Sequence, residues 1–107
     1  MSRRRVLLDE NLPVQLRRWL PGVEAVTAEF MGWKGVRNGD LMRRARAAGF
    51  AVLVTADGPL AVSPQVWSPL GCVHVTSNDV TALGRAAAQI EAACLAVLPG
   101  EVLTVHV

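Results

Sequence analysis

Two short runs of large aliphatic residues, Val6-Leu7-Leu8 and Val52-Leu53-Val54, each stop on a polar edge that carries an acid: Asp9-Glu10 after the first, Thr55-Ala56-Asp57 after the second. An apolar run of this length with no alternating polar position is the pattern of a strand buried on both faces, as in the interior of a parallel sheet. Parallel neighbours need a crossover between them, so the feature limits the chain to an α/β fold. It also puts Asp9, Glu10 and Asp57 at the carboxyl ends of strands, where the loops of an open α/β sheet part and ligands bind.

The elements between and around these runs follow in order. Leu12, Leu16, Trp19 and Leu20 recur on one helical face, which predicts a first helix over Leu12 to Leu20, capped by Asn11 with Pro13 in its first turn and stopped by Pro21-Gly22. Val23 to Thr27 reads as a short strand, making the opening a β-α-β unit with a right-handed crossover. A second helix starts near Gly39 or Asp40 and runs to Ala48, with Leu41, Met42, Ala45 and Ala48 inward and Gly49 in the left-handed cap position. After the strand Phe50 to Thr55, the proline-rich segment Leu60 to Gly71 reads as a long ordered loop. Cys72 to Thr76 is a fourth strand, and Ser77-Asn78-Asp79 caps the longest helix, whose inner face is Leu83, Ala86, Ile90, Cys94 and Val97. Glu101 to Val107 is a last strand, at an edge.

The stretch from Ala28 to Gly39 has neither helical nor strand periodicity and carries three glycines. Ordered loops of about this length are usually functional. Trp33 suits stacking on a base, and Lys34 and Arg37, with Arg43 in the next helix, suit phosphate contacts. The competing reading tucks Phe30, Met31 and Trp33 under the loop as a satellite core.

With 107 residues, 51% of them hydrophobic, the chain is expected to be one domain with a single core. A net charge of +2 permits a nucleic-acid partner without demanding one. The basic residues cluster as Arg3-Arg4-Arg5, Arg17-Arg18 and Arg43-Arg44 with Arg46, although solubility alone explains any one of them. Cys72 and Cys94 lack metal-ligand spacing and read as buried, reduced thiols. No apolar run is long enough to span a bilayer and the start lacks a signal-peptide pattern, so the expected setting is cytoplasmic, with no membrane partner. His74 and His106 fall inside strands and read as structural.

All four aspartates, Asp9, Asp40, Asp57 and Asp79, fall at a strand exit or a helix start. Each can be a simple helix-start acid, stabilised by the positive end of the helix dipole. If instead Asp9, Glu10 and Asp57 share one edge with Asp40 reaching the same crevice, the like charges call for a divalent cation or strongly raised pKa values. Oxygen ligands without Cys or His spacing suit Mg²⁺ or Mn²⁺. The same placement of acids, with Thr76 after the fourth strand, also imitates a receiver-type phosphoacceptor domain. That module needs a lysine after its last strand, and the only lysine here is Lys34.

Leu7-Leu8-Asp9-Glu10-Asn11-Leu12-Pro13, then Met31-Gly32-Trp33 with Gly35, then Asn38-Gly39-Asp40-Leu41, then Val52-Leu53-Val54-Thr55-Ala56-Asp57, resemble the signature blocks of a small PIN-like family long catalogued as a domain of unknown function. The similarity spans nearly the whole chain in order and spacing. It implies a three-layer α/β/α PIN-like domain with a mostly parallel central sheet of about five strands. It further implies a ribonuclease, a hydrolase using Mg²⁺ or Mn²⁺ on single-stranded or structured RNA, of the kind that acts as the toxin of a toxin–antitoxin pair with an antitoxin protein as partner. A homodimer is open to such a chain. Carried over by position, Asp9, Asp40 and Asp57 are the catalytic metal-site acids, with Glu10 and Asp79 as further ligands. Relatives continue after the T-x-D block with a polar Gln-Asn-Leu stretch, whereas Gly58-Pro59-Leu60-Ala61 follows here. That departure motivates the alternative of a catalytically inactive PIN-like module that binds nucleic acid or protein.

Overall fold

Successive side chains of a strand point to opposite faces of its sheet, and a strand buried on both faces therefore feeds two cores. In the computed structural model, which describes residues 3–107, strand β1 (Arg5–Leu8) does this: Val6 and Leu8 join one apolar cluster and Leu7 joins the other, all three with no exposed surface. Strand β3 (Val52–Thr55) repeats the pattern, with Val52 and Val54 on the first face and Leu53 on the second. Burying each such side chain stabilises the fold by roughly 1.5–3 kcal/mol. That gain is why both runs occupy the middle of the sheet.

The sheet has five strands, all parallel, in the order β2-β1-β3-β4-β5, with β2 at Glu24–Thr27, β4 at Gly71–Val75 and β5 at Val102–Val105. The last strand is indeed an edge, and β2 is the other. One face is covered by a 3₁₀ helix (Val14–Trp19) through Leu16, and by the later helices through Leu83, Ile90 and Cys94. The opposite face is covered by α1 (Asn38–Ala47), α2 (Gly58–Ala61) and α3 (Pro64–Trp67) through Leu41, Met42, Leu60 and Trp67. The result is a three-layer α/β/α domain. Among the described residues no helix is long and apolar enough to cross a membrane.

Three expected elements differ in kind. The first helix is a 3₁₀ segment of six residues, with Pro13 at the position before it and no side-chain cap, so Asn11 does not cap it. Leu12, Leu16 and Leu20 nevertheless face the core, as the helical reading expects. The segment expected as a loop from Leu60 onward holds two single-turn helices, because Asp57 caps α2 and a proline opens each one. Trp67 anchors them: it is fully buried and its Nε1 donates to the Leu60 carbonyl at 3.0 Å. The longest helix is split into α4 (Val80–Arg85) and α5 (Ala87–Ala96) at Ala86, while its predicted inner face is buried throughout. Gly49 takes a positive φ of 84° after α1, as expected of a left-handed stop.

The connections β2-α1-β3 and β3-α2-α3-β4 move across the sheet in the same direction and cross over one face. The connection β4-α4-α5-β5 continues in that direction but crosses over the other face, so its hand is opposite. Coverage explains it. Val52, Val54, Val73 and Val75 lie on the face of the short 3₁₀ helix, and α4 with α5 completes their cover through Leu83, Ile90 and Cys94.

Candidate active site

The chain leaves β1 toward β2 on one side and returns through β3 on the other, so the loops after β1 and β3 diverge at this point of the sheet. Such a switch point is where a crevice opens in an α/β fold. Asp9 continues β1 by one residue, its N–H bonded to the Val54 carbonyl at 3.0 Å. By strand alternation it lies on the face of Leu7, as Thr55 lies on the face of Leu53. Thr55 is in register with His74 of β4, which shares the face of Cys72. Asp9, Thr55 and His74 therefore form a row across three neighbouring strands.

The polar groups of this row are connected. Thr55 is fully buried, and its hydroxyl donates to Asp9 Oδ2 at 2.7 Å. The same hydroxyl oxygen accepts the Asp57 N–H at 3.0 Å. Asp9 Oδ1 accepts the Glu10 N–H at 2.9 Å, and Asp57 Oδ1 accepts the Leu60 N–H at 3.0 Å as the cap of α2. Glu10 is exposed, and its Oε2 accepts the Gly35 N–H at 3.0 Å, tying the glycine-rich loop to the crevice. Gly35 has a positive φ of 79°, a conformation that side-chain-bearing residues rarely adopt.

Asp9 is only 8% exposed. Burial pushes its carboxyl above the ordinary 3.8; the Thr55 hydroxyl and the Glu10 N–H pull it down, and the charges of Glu10 and Asp57 push it up again. Beneath it, burial and the Asp9 charge raise the Cys72 thiol to about 12, and burial raises Cys94 to about 12, so both are inert, reduced thiols as expected.

The fourfold convergence of acids is not what the structure holds. Asp40 sits exposed in the first turn of α1 in an ion pair with Arg43, three residues on, and Asp79 uses its carboxylate to cap α4 through the Ala82 N–H at 2.9 Å. Neither is among the charges that act on Asp9. Among the described residues no three His, Cys, Asp or Glu side chains group as a ready metal cage. Glu10 and Asp57 are the acids whose charges act on Asp9 at the switch point.

The basic and aromatic residues are also redistributed. Trp33 is half-buried and meets Phe50 edge-on, with ring centroids 6.0 Å apart at 70°, so it belongs to the second core together with Met31. Phe30 does not tuck under the loop: it is 82% exposed. Lys34 and Arg37 are exposed near the crevice loop, and Arg43 is exposed but paired with Asp40. The N-terminal arginines lie at the opposite, amino edge of the sheet and bind the protein itself. Arg4 Nη1 donates to the Cys94 and Val97 carbonyls, each at 2.8 Å, and Arg5 pairs with Glu24 at 2.6 Å while its guanidinium lies 4.2 Å over the Phe50 ring.

Two site residues escaped the sequence reading. Thr55 was legible as a lone hydroxyl ending a buried apolar run, two residues before an acid. His74 reads from sequence as a strand histidine, and only the β3–β4 register sets it beside Thr55, half-buried, with Nε2 reaching toward Gly58 at the start of α2.

The donor set suits a hard cation. Among the described residues Asp57 has one carboxylate oxygen with no hydrogen-bond partner, and each carboxylate offers lone pairs beyond its hydrogen bonds. Mg²⁺ is commonly held by one or two carboxylates with water completing the shell, so two acids suffice where a closed cage is absent. Comparison of the chain with protein-family models, with curated proteins and with solved structures returned no match.

Proposed function

We propose that the chain is a Mg²⁺- or Mn²⁺-dependent ribonuclease of PIN-like type, working at the crevice between the carboxyl ends of β1 and β3. The observation that carries the reading is the buried Asp9 carboxylate, held by the Thr55 hydroxyl at the switch point within reach of the Asp57 and Glu10 charges, while the backbone N–H of Asp57 donates to the same hydroxyl; the ion pairs among the described residues involve Glu24 and Asp40 instead. A buried acid on which two further negative charges act is compensated by a bound cation or by a proton. A bound divalent ion would activate water and stabilise charge on the leaving oxygen of a phosphodiester. Asp9 and Asp57 would hold and orient that ion, Thr55 would keep the Asp9 carboxylate in place, and exposed Lys34 and Arg37 would meet the phosphates of the RNA strand. A toxin role with an antitoxin partner is part of the same proposal.

The pairing of Asp40 with Arg43 favours one other reading, an inactive PIN-like module that binds nucleic acid without cutting it. One experiment divides the two. Thermal stability is measured with and without Mn²⁺ for wild type, Asp9→Asn and Asp57→Asn, alongside cleavage of single-stranded RNA with and without chelator. The enzyme reading expects Mn²⁺ to raise the wild-type melting temperature and to support cleavage, with both effects lost in the variants. A folded wild type that binds RNA but shows no metal response and no cleavage supports the inactive module and ends the enzyme reading.

A further inference from the structure

Strand β2 is an edge, and its ladder to β1 determines which of its backbone groups face outward. The Glu24 N–H binds the Arg4 carbonyl at 2.8 Å and the Ala28 N–H binds the Leu8 carbonyl at 3.0 Å, so residues 24, 26 and 28 turn their polar groups to β1. Val23, Ala25 and Thr27 turn theirs away. Of these outward groups two are already satisfied by turns, the Val23 N–H by the Leu20 carbonyl at 3.2 Å and the Thr27 carbonyl by the Met31 N–H at 3.3 Å. Among the described residues four sites have no partner: the Ala25 N–H and C=O, the Thr27 N–H and the Val23 C=O.

We infer that this edge is the interface of a homodimer, in which β2 pairs antiparallel with β2 of a second copy about a twofold axis at Ala25. In that register the two Ala25 residues exchange both of their hydrogen bonds, and each Thr27 N–H meets the Val23 carbonyl of the other copy. All free outward groups are used, and the two groups already satisfied are the ones the register leaves out. An isologous pair of this kind needs a self-complementary patch, and the charges supply one. Beyond the ladder the antiparallel arrangement brings the turn after β2, which carries Glu29, beside the turn before β2 of the second copy, where the exposed Arg3 guanidinium is held by the Pro21 carbonyl at 3.0 Å. Glu29 has no ion-pair partner of its own among the described residues. Beside the strand runs a groove of about 570 Å³ walled in part by Val14 and Phe30, which are 53% and 82% exposed. An open strand with flanking apolar groups and no proline or lysine is an edge left unprotected against pairing.

Sedimentation equilibrium of the full chain over micromolar to millimolar concentration tests this. The expected result is a shift from 11.5 kDa to twice that mass. Ala25→Pro removes an outward N–H and no bond to β1, so it should weaken dimerisation about tenfold or more with secondary structure unchanged. Thr104→Pro, the equivalent change on the other edge strand, should leave the dimer intact. Arg3→Glu and Glu29→Arg should each weaken it, and the double variant should restore it, which decides the matter even if Ala25→Pro folds poorly. A chain monomeric throughout, a dimer indifferent to Ala25→Pro and to the charge changes, or a dimer broken by Thr104→Pro alone would overturn the inference.

Discussion

Thr55→Val is the substitution that most directly probes the switch point. Valine keeps the β-branched shape in a fully buried position and deletes one oxygen, the one that donates to Asp9 at 2.7 Å and accepts from the Asp57 N–H at 3.0 Å. A hydrogen bond to a charged group contributes about 1.5–3 kcal/mol, and orphaning a buried N–H costs about 1–3 kcal/mol. Asp57 is half-buried, so water replaces part of the second loss. The expected destabilisation is about 2–4 kcal/mol at neutral pH. Its pH dependence is the sharper test. The native carboxyl of Asp9 is raised above 3.8, so the folded state holds the proton more tightly than the unfolded one, and the Asp9 contribution to wild-type stability falls as pH rises from 3.8 through the native value, then levels. The Thr55 hydroxyl pulls that native value down; without it the fall extends to higher pH. The difference between variant and wild type should therefore be smallest on the acid side of 3.8 and grow toward neutrality. Urea unfolding followed by circular dichroism across this range measures it. A difference that does not change with pH, or one below about 0.5 kcal/mol at neutrality, would refute the claim that Thr55 stabilises an ionised Asp9.

Two further outcomes are expected. Gly71→Ala would bring a Cβ to 2.7 Å from Val97 Cγ1 and 3.0 Å from the Leu98 carbonyl, so it should destabilise by about 1–3 kcal/mol, read by thermal or urea unfolding. Lys34→Ala should reduce the salt dependence of single-stranded RNA binding by about 0.7 in the logarithmic slope, read by titration at several ionic strengths; an unchanged slope would remove Lys34 from the interface.

The interior of this protein was legible in its sequence because burial on both faces leaves a local record. Val6-Leu7-Leu8 and Val52-Leu53-Val54 announce central parallel strands, the inner face of α4 and α5 is readable from Leu83 to Val97, and Gly49 marks the end of α1. Thus the α/β class, the parallel sheet and the placing of Asp9 and Asp57 at one edge were determined by the chain itself. Local propensity was a poorer guide where short segments balance several signals: the 3₁₀ helix in place of an α-helix, the two single-turn helices around Trp67, the break at Ala86. Which acids meet is not a local property at all. Asp40 and Asp57 look alike in sequence, each beside a helix start, yet the Asp40 carboxylate pairs with Arg43, while Asp57 donates its N–H to the hydroxyl that binds Asp9 and its charge acts on Asp9. Likewise His74 joins the site only through the β3–β4 register, and the arginines at the start of the chain meet distant carbonyls rather than the crevice. Apolar periodicity records how each element faces its nearest layer. Pairings between elements far apart in sequence depend on strand order, register and the face each crossover takes, and these are decided only when the layers pack.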